Sequence, residues 1–305
     1  MKIAFIGGVK FSFEILSTLL QNGWNISVVF SYNDNKKKYY SDIENFAELT
    51  RKYNVKHIQV DNINNNSNIQ ILKEIQPDLI LVMGWSQLLQ SEIIKIPKLG
   101  VIGSHPTELP KFRGRAPIPW SILKKLKQSA LTFFYINEGV DGGDILDQRK
   151  FDISQDDDAS SIYQKMIELG KDMIIDNLAN LKNNKHSRKK QNQSDFIENW
   201  PKRTMEDGRI NWNDSSEEIH RLIRATTFPY PGAFTNFNQQ KLIIWKSNFI
   251  NDLNCNPGII LKIDDNYILI GTGKGTLKIL KVSYQNKYKL NEIFSSDDVG
   301  SKLEL

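Results

Sequence analysis

Short continuous apolar runs alternate with amphipathic stretches through the first half of the chain, and no other feature narrows the fold as much. Ile3–Ile6 reads as a buried strand closed by Gly7-Gly8, and Phe11, Ile15, Leu16, Leu19 and Leu20 then recur along one helix face. Asn22-Gly23 ends that helix, because glycine tolerates the left-handed backbone of a helix terminus. The same reading gives strands at Ile26–Phe30, Val55–Val60, Asp78–Met83 and Leu99–Ile102, and helices at Ile43–Leu49, Asn68–Ile75 and Ser86–Ile96. The run ending at Met83 is apolar without alternation, as in a strand covered on both faces. Such an order predicts an α/β, doubly wound, mostly parallel sheet with helices on both faces.

Two further strands are expected at Thr132–Ile136 and Ile145–Ile153, then a long helix at Asp158–Leu181 with an aspartate of 156–158 as its cap. Lys182–Gln193 is polar and basic, carries no apolar periodicity, and reads as a linker or solvated arm. Beyond it the pattern changes. A helix at Ser216–Ala225 precedes short strands at Gly232–Phe237, Leu242–Ser247, Gly258–Ile263, Tyr267–Ile270 and Thr276–Val282, the pattern of a small β-barrel-like (OB-like) domain. The expected organisation is a catalytic domain at 1–185, a linker at 186–205 and a β domain at 206–305, in line with roughly 150 residues per domain.

Lys and Arg exceed Asp and Glu by 40 − 35 = 5, and the pI is about 9.0, an excess that permits an anionic partner without demanding one. A single cysteine, Cys255, excludes a disulfide framework and a cysteine-cluster zinc site, and no metal is expected. The opening apolar run, Ile3 to Ile6, is too short for a signal-peptide core, and no run approaches the ~18 apolar residues that span a membrane. The expectation is a cytoplasmic protein.

In open α/β sheets ligands bind beyond the carboxyl ends of the strands. Gly7-Gly8 lies there but lacks a dinucleotide fingerprint, and a tight strand–helix turn accounts for it. The stretch Gly103–Pro117 says more: it follows strand five and combines His105 with three prolines and three basic residues. A rigid loop there suits a fixed imidazole that titrates near neutral pH, although a surface histidine in a proline-rich turn has the same composition. Glu138–Asp144 is the third candidate. Asp141 follows His105 by 36 residues and can return to orient the ring and stabilise its charge, while Asp-Gly-Gly-Asp would equally make a hairpin turn. His57, His186 and His220 are read as structural or solvated.

The spaced motif His105-Pro106-x-x-Leu109-Pro110-x-x-Arg113-Gly114-x-Ala116-Pro117, followed by Gly139-Val140-Asp141-x-Gly143-Asp144-Ile145, resembles the signature of 10-formyltetrahydrofolate-dependent formyltransferases. Asp207-Gly208-x-Ile210-x-Trp212, Arg221-x-x-Arg224-Ala225 and Pro229-x-Pro231-Gly232-Ala233 are similar to that family's junction between a Rossmann-like domain and its C-terminal barrel. The resemblance implies transfer of a formyl group from N10-formyltetrahydrofolate to a primary amine, with His105 and Asp141 catalytic. It places the folate against Met83, Gly84, Trp85, Leu88, Leu89, Asn137, Gly139 and Val140, and the acceptor near Lys10, Gly103, Ser104, Arg113 and Arg115. The family's pattern is Asn-x-His with a later Asp, and Gly103 stands at the Asn. Loss of such an oxyanion donor typically costs about 10²–10³ in rate.

Within the family, the short loop Tyr32–Tyr40 and the extra guanidinium of Arg115 resemble the enzymes acting on nucleotide-linked amino sugars in cell-surface glycan synthesis. The expectation is therefore a sugar N-formyltransferase, with tRNA disfavoured, no DNA or membrane partner, and a homodimer left open. A methionyl-tRNA formyltransferase is the alternative, with Lys182–Lys190 on phosphates. Gly103 keeps a formyl-folate hydrolase or a catalytically weakened binding protein as a further one.

Overall fold

A computed structural model describes residues 1–33, 35, 42–250 and 256–304. Most of the loop 32–40, together with Cys255, lies outside them. Two compact units are formed: 1–117 with 127–153 and 163–201, and 118–126 with 154–162 and 202–305.

The chain enters through β1 (Ile3–Gly7), α1 (Lys10–Gln21), β2 (Ile26–Tyr32), α2 (Ala47–Lys52), β3 (Lys56–Val60), α3 (Asn66–Ile75) and β4 (Leu79–Met83). It continues with α4 (Ser91–Ile94), β5 (Val101–His105), β6 (Phe112–Gly114), α5 (Pro117–Leu123), β7 (Gln128–Tyr135), β8 (Ile145–Asp152), α6 (Ala159–Lys182) and β9 (Glu198–Trp200). The main sheet of the first unit runs β3-β2-β1-β4-β5-β7-β8. Its first five strands are parallel and the last two antiparallel, so the sheet is doubly wound and mostly parallel as expected. Every residue of β1 and β4 is buried, which is why those runs carry no polar alternation. Ala4, Ile6, Val28, Phe30, Ile80, Val82 and Val101 fill one face together with Ile69 and Leu72 of α3.

The second unit carries α7 (Ser216–Thr226), β10 (Ala233–Phe237), β11 (Gln240–Ile250), β12 (Ile260–Asp264), β13 (Tyr267–Gly271), β14 (Thr276–Ser283) and α8 (Leu290–Ile293). Its five strands form an antiparallel sheet in the order β10-β11-β14-β13-β12, the small β domain of the expectation. Ser215 and Glu218 close a capping box at the start of α7, and Ile219 and Ile223 bury that helix against Ile244, Ile268, Ile270 and Ile279.

Three local expectations need correction. The helix expected over Ser86–Ile96 is confined to α4. Ser86–Gln90 is instead held by bonds to other segments: Ser86 N–H to Tyr32 Oη (2.9 Å), Gln87 Nε2 to the Asp61 carbonyl (2.6 Å) and Gln90 N–H to Asn64 Oδ1 (2.9 Å). The fifth strand extends to His105, so the histidine ends a strand rather than sitting in a loop. The polar stretch after α6 is docked rather than solvated throughout: Lys189 exchanges backbone hydrogen bonds with Ile145 (2.7 and 2.9 Å), and β9 pairs with β6. Backbone pairing needs no apolar side chains, so this docking leaves no periodic signal in the sequence. Among the described residues no helix is long and apolar enough to cross a membrane.

Candidate active site

β5 delivers His105, and the chain folds straight back onto it. His105 Nε2 donates to the Phe112 carbonyl at 3.1 Å, and Thr107 Oγ1 donates to the same oxygen at 2.5 Å. Thr132 on β7 donates from Oγ1 to the Thr107 carbonyl (2.6 Å), and Gln148 of β8 donates from Nε2 to Thr132 Oγ1 and the Leu109 carbonyl. The 106–112 segment is thus fixed by polar bonds from two strands, and the imidazole, 6 % exposed, is fixed with it.

The other ring nitrogen faces Asp141. Its Oδ2 lies 3.6 Å from His105 Nδ1 and accepts the Gly114 N–H at 3.0 Å. With the hydrogen of a neutral imidazole on Nε2, Nδ1 turns a bare lone pair toward a carboxylate. The carboxylate favours the charged ring, against the burial that disfavours it. Burial pushes the His105 pKa down, and the Asp141 charge and the Phe112 carbonyl offset that only in part. Asp141 takes a left-handed backbone (φ 50°) that side chains other than glycine seldom adopt. Two residues on, a Cβ on Gly143 would stand 1.6 Å from the Tyr135 carbonyl, so only glycine lets the turn press this closely on β7.

The remaining expected site residues fall into groups. Val82 pairs with Gly103, so the segment opening at Met83 starts beside the His105 strand. Met83 and Leu89 are buried, Gly84 has a positive φ of 55°, and Leu88 is 66 % exposed. Trp85 stacks on Tyr32 at 3.9 Å, and its Nε1 is buried with no hydrogen-bond partner among the described residues. Asn137 Oδ1 accepts the Gly139 N–H at 3.0 Å, and Val140 is 50 % exposed. Arg113 donates from Nη2 to Gln191 Oε1 (2.7 Å) and Gln193 Oε1 (3.1 Å), whereas Arg115 is exposed and holds Trp200 through its backbone N–H (2.8 Å). Ser104 is half-buried, and Lys10 opens α1 with its N–H on the Asp42 carbonyl.

Gly103 does not leave an open space. A Cβ there would lie 2.9 and 3.0 Å from Cδ1 and Cγ1 of Ile136, which occupies the room an asparagine would need. Sequence reasoning missed the Phe112 carbonyl, the Gly114 N–H and Gln191. The first two are backbone groups, and Gln191 sits in a run that reads as solvated. Among the described residues no group of three or more His, Cys, Asp or Glu side chains could hold a metal ion.

Residues 1–178 match the formyl transferase family model and 202–296 that of the formyl transferase C-terminal domain. The chain is a member of the formyl transferase family. The formyl-folate donor expected from the resemblance stands with that membership. The chain is 31 % identical over 316 residues to a methionyl-tRNA formyltransferase of Ruminiclostridium cellulolyticum, covering 99 % of each chain. It is 32 % identical to the methionyl-tRNA formyltransferase of Caldanaerobacter subterraneus, covering 95 % of this chain and 94 % of the relative. The fold is also similar to that of WlaRD, described as a sugar 3N-formyl transferase in the presence of dTDP and 5-N-formyl-THF. There the TM-score is 0.66 at 23 % identity, over 94 % of this chain and 98 % of that one. That likeness speaks to fold alone.

These relatives overturn the expected acceptor and partner. The amino-sugar reading, with tRNA disfavoured, rested on a loop mostly outside the described residues and on the exposed Arg115. Neither outweighs similarity to methionyl-tRNA formyltransferases along the whole chain.

Proposed function

We propose that this formyltransferase formylates the amino group of methionyl-tRNA. The observation that carries the reading is the full-length likeness to methionyl-tRNA formyltransferases, 31 % over 99 % of both chains. Exposed Lys182, Lys185, Lys189 and Lys190 supply cations suited to a phosphate backbone, and such a reaction belongs in the cytoplasm with protein synthesis.

The residues at hand fit a bound folate. The orphaned Trp85 Nε1 offers a donor, and exposed Leu88 and Val140 offer apolar contact to a flat ring. Formyl-folate, when bound, supplies a formyl carbon on N10 to the acceptor amine. The His105–Asp141 pair takes the proton released as the new C–N bond forms, and returns it to the nitrogen that leaves as the old bond breaks. While charged, the imidazolium stabilises the oxyanion of the tetrahedral intermediate. Asp141 raises the ring's proton affinity against the cost of burial, and the Phe112 carbonyl fixes the ring's orientation.

The test is an acceptor panel: methionyl-tRNA, a nucleotide-linked amino sugar, and water, each with N10-formyltetrahydrofolate. Rapid formylation of methionyl-tRNA that falls with added salt is expected. Turnover with the sugar or water alone refutes the reading.

A further inference from the structure

Both groups that hold the His105 ring come from segments outside β5: the Phe112 carbonyl on β6 and the Asp141 carboxylate on the turn before β8. A third side chain ties these segments together. Gln191 Nε2 donates to the Asp141 and Gly143 carbonyls, each at 2.7 Å. Its Oε1 accepts from Arg113 Nη2 (2.7 Å) and Nε (3.3 Å), one residue from Phe112 and one from the Gly114 N–H that holds the Asp141 carboxylate. Gln191 is 7 % exposed and is the one buried residue between Lys182 and Asn199. Its approach is set by the backbone pairing of Lys189 with Ile145. Its amide is used at both ends, and each end is specific: only a donor suits the two carbonyls, and only an acceptor suits the guanidinium.

We propose that Gln191 is a positioning residue for formyl transfer, bracketing the 141–143 turn to the 112–114 strand so that both partners of His105 stay in register. The left-handed Asp141 is what needs the bracket, since its strained backbone is held in place by contacts from outside the turn. Among charged groups, Asp141 acts directly on His105, with the Arg113 guanidinium on the far side of the Gln191 amide. A misplacement of about 1 Å at a reacting group can cost about 10²-fold in rate.

The experiment compares wild type with Gln191→Met, which keeps the length and loses the hydrogen bonds, and Gln191→Glu, which keeps a partner for Arg113 but has no hydrogen for the two carbonyls. Two readouts are taken. In kinetics, both variants should lose about 10–100-fold in kcat with little change in KM for either substrate. In nitrogen-15 NMR of the His105 ring at about pH 7, the Nδ1 signal of both should move toward its position in Asp141→Asn. The kinetic arm rests on the acceptor proposed above. The NMR arm needs no acceptor, so failure of that reading leaves it standing. Should Gln191→Met not fold, Gln191→Glu carries both arms. Unchanged kcat in Gln191→Glu, or an Nδ1 signal that stays at the wild-type position while thermal stability falls, overturns the proposal and leaves Gln191 a structural strap.

Discussion

His105 and His220 are both held within protein, one in each unit, and the contrast between them shows what makes a histidine a chemical group. Burial lowers the pKa of each. At His105 the opposing influences are a carboxylate and a carbonyl, which give back part of the proton affinity that burial removes. At His220 the Arg224 and Arg221 charges add to burial, Asp156 and Glu217 offset them only in part, and the pKa falls to about 4. His220 is left as a neutral ring hydrogen-bonded to Ser247 Oγ at 3.0 Å. Burial beside cations produces an inert imidazole, and burial against a carboxylate on a strained turn produces one that can carry a proton.

Breaking the contrast at its active end gives the largest effect. His105→Ala is expected to lower kcat by about 10²–10⁴-fold, while His220→Gln leaves kcat near wild type. Comparable losses in both would show that burial, not the partner, matters.

The next largest effect falls on the turn that carries Asp141. Gly143→Ala forces a Cβ into the Tyr135 carbonyl and is expected to cost about 2–4 kcal/mol of stability, along with activity. Gly139→Ala, whose Cβ meets only Asn137 Oδ1 at 3.4 Å, should stay within about 0.5 kcal/mol. Chemical denaturation of the two variants measures the difference.

Gly103→Asn comes third. Its side chain meets Ile136, so a loss of about 1–2 kcal/mol is expected, recovered in part when Ile136→Ala makes room. A purely additive double mutant would show that the two positions do not compete for the same space.

A pH dependence of stability, of similar size, comes last. A ring with pKa about 4 in the fold and 6.5 in the unfolded chain binds its proton first when unfolded. Its contribution is therefore present above about pH 6.5, shrinks as pH falls, and is gone near pH 4. Discounted for partial exposure, it amounts to about 1–2 kcal/mol. His220→Gln should flatten the stability profile across that window, and an unchanged profile would mean the ring has the same pKa in the fold as in the unfolded chain.

How much could be read from sequence follows from what holds each part. β1, β4 and α6 are fixed by apolar burial, which writes unbroken apolar runs in the two strands and a helical period in α6. His105 and Asp141 were visible because a histidine, prolines and glycines cluster at strand ends. Gln191, the Phe112 carbonyl and the Gly114 N–H were not, since backbone groups and one amide in a basic run carry no period. The acceptor was misread for a related reason. One guanidinium and a loop length say little about a macromolecular substrate that contacts a wide surface.

The most direct test of the central claim is single-turnover transfer of a labelled formyl group to methionyl-tRNA, run side by side with wild type, His105→Ala and His220→Gln. Rapid transfer by wild type and His220→Gln, and a rate about 10²–10⁴-fold lower with His105→Ala, is the predicted result. Equal rates for wild type and His105→Ala, or no transfer to methionyl-tRNA by wild type, would contradict it.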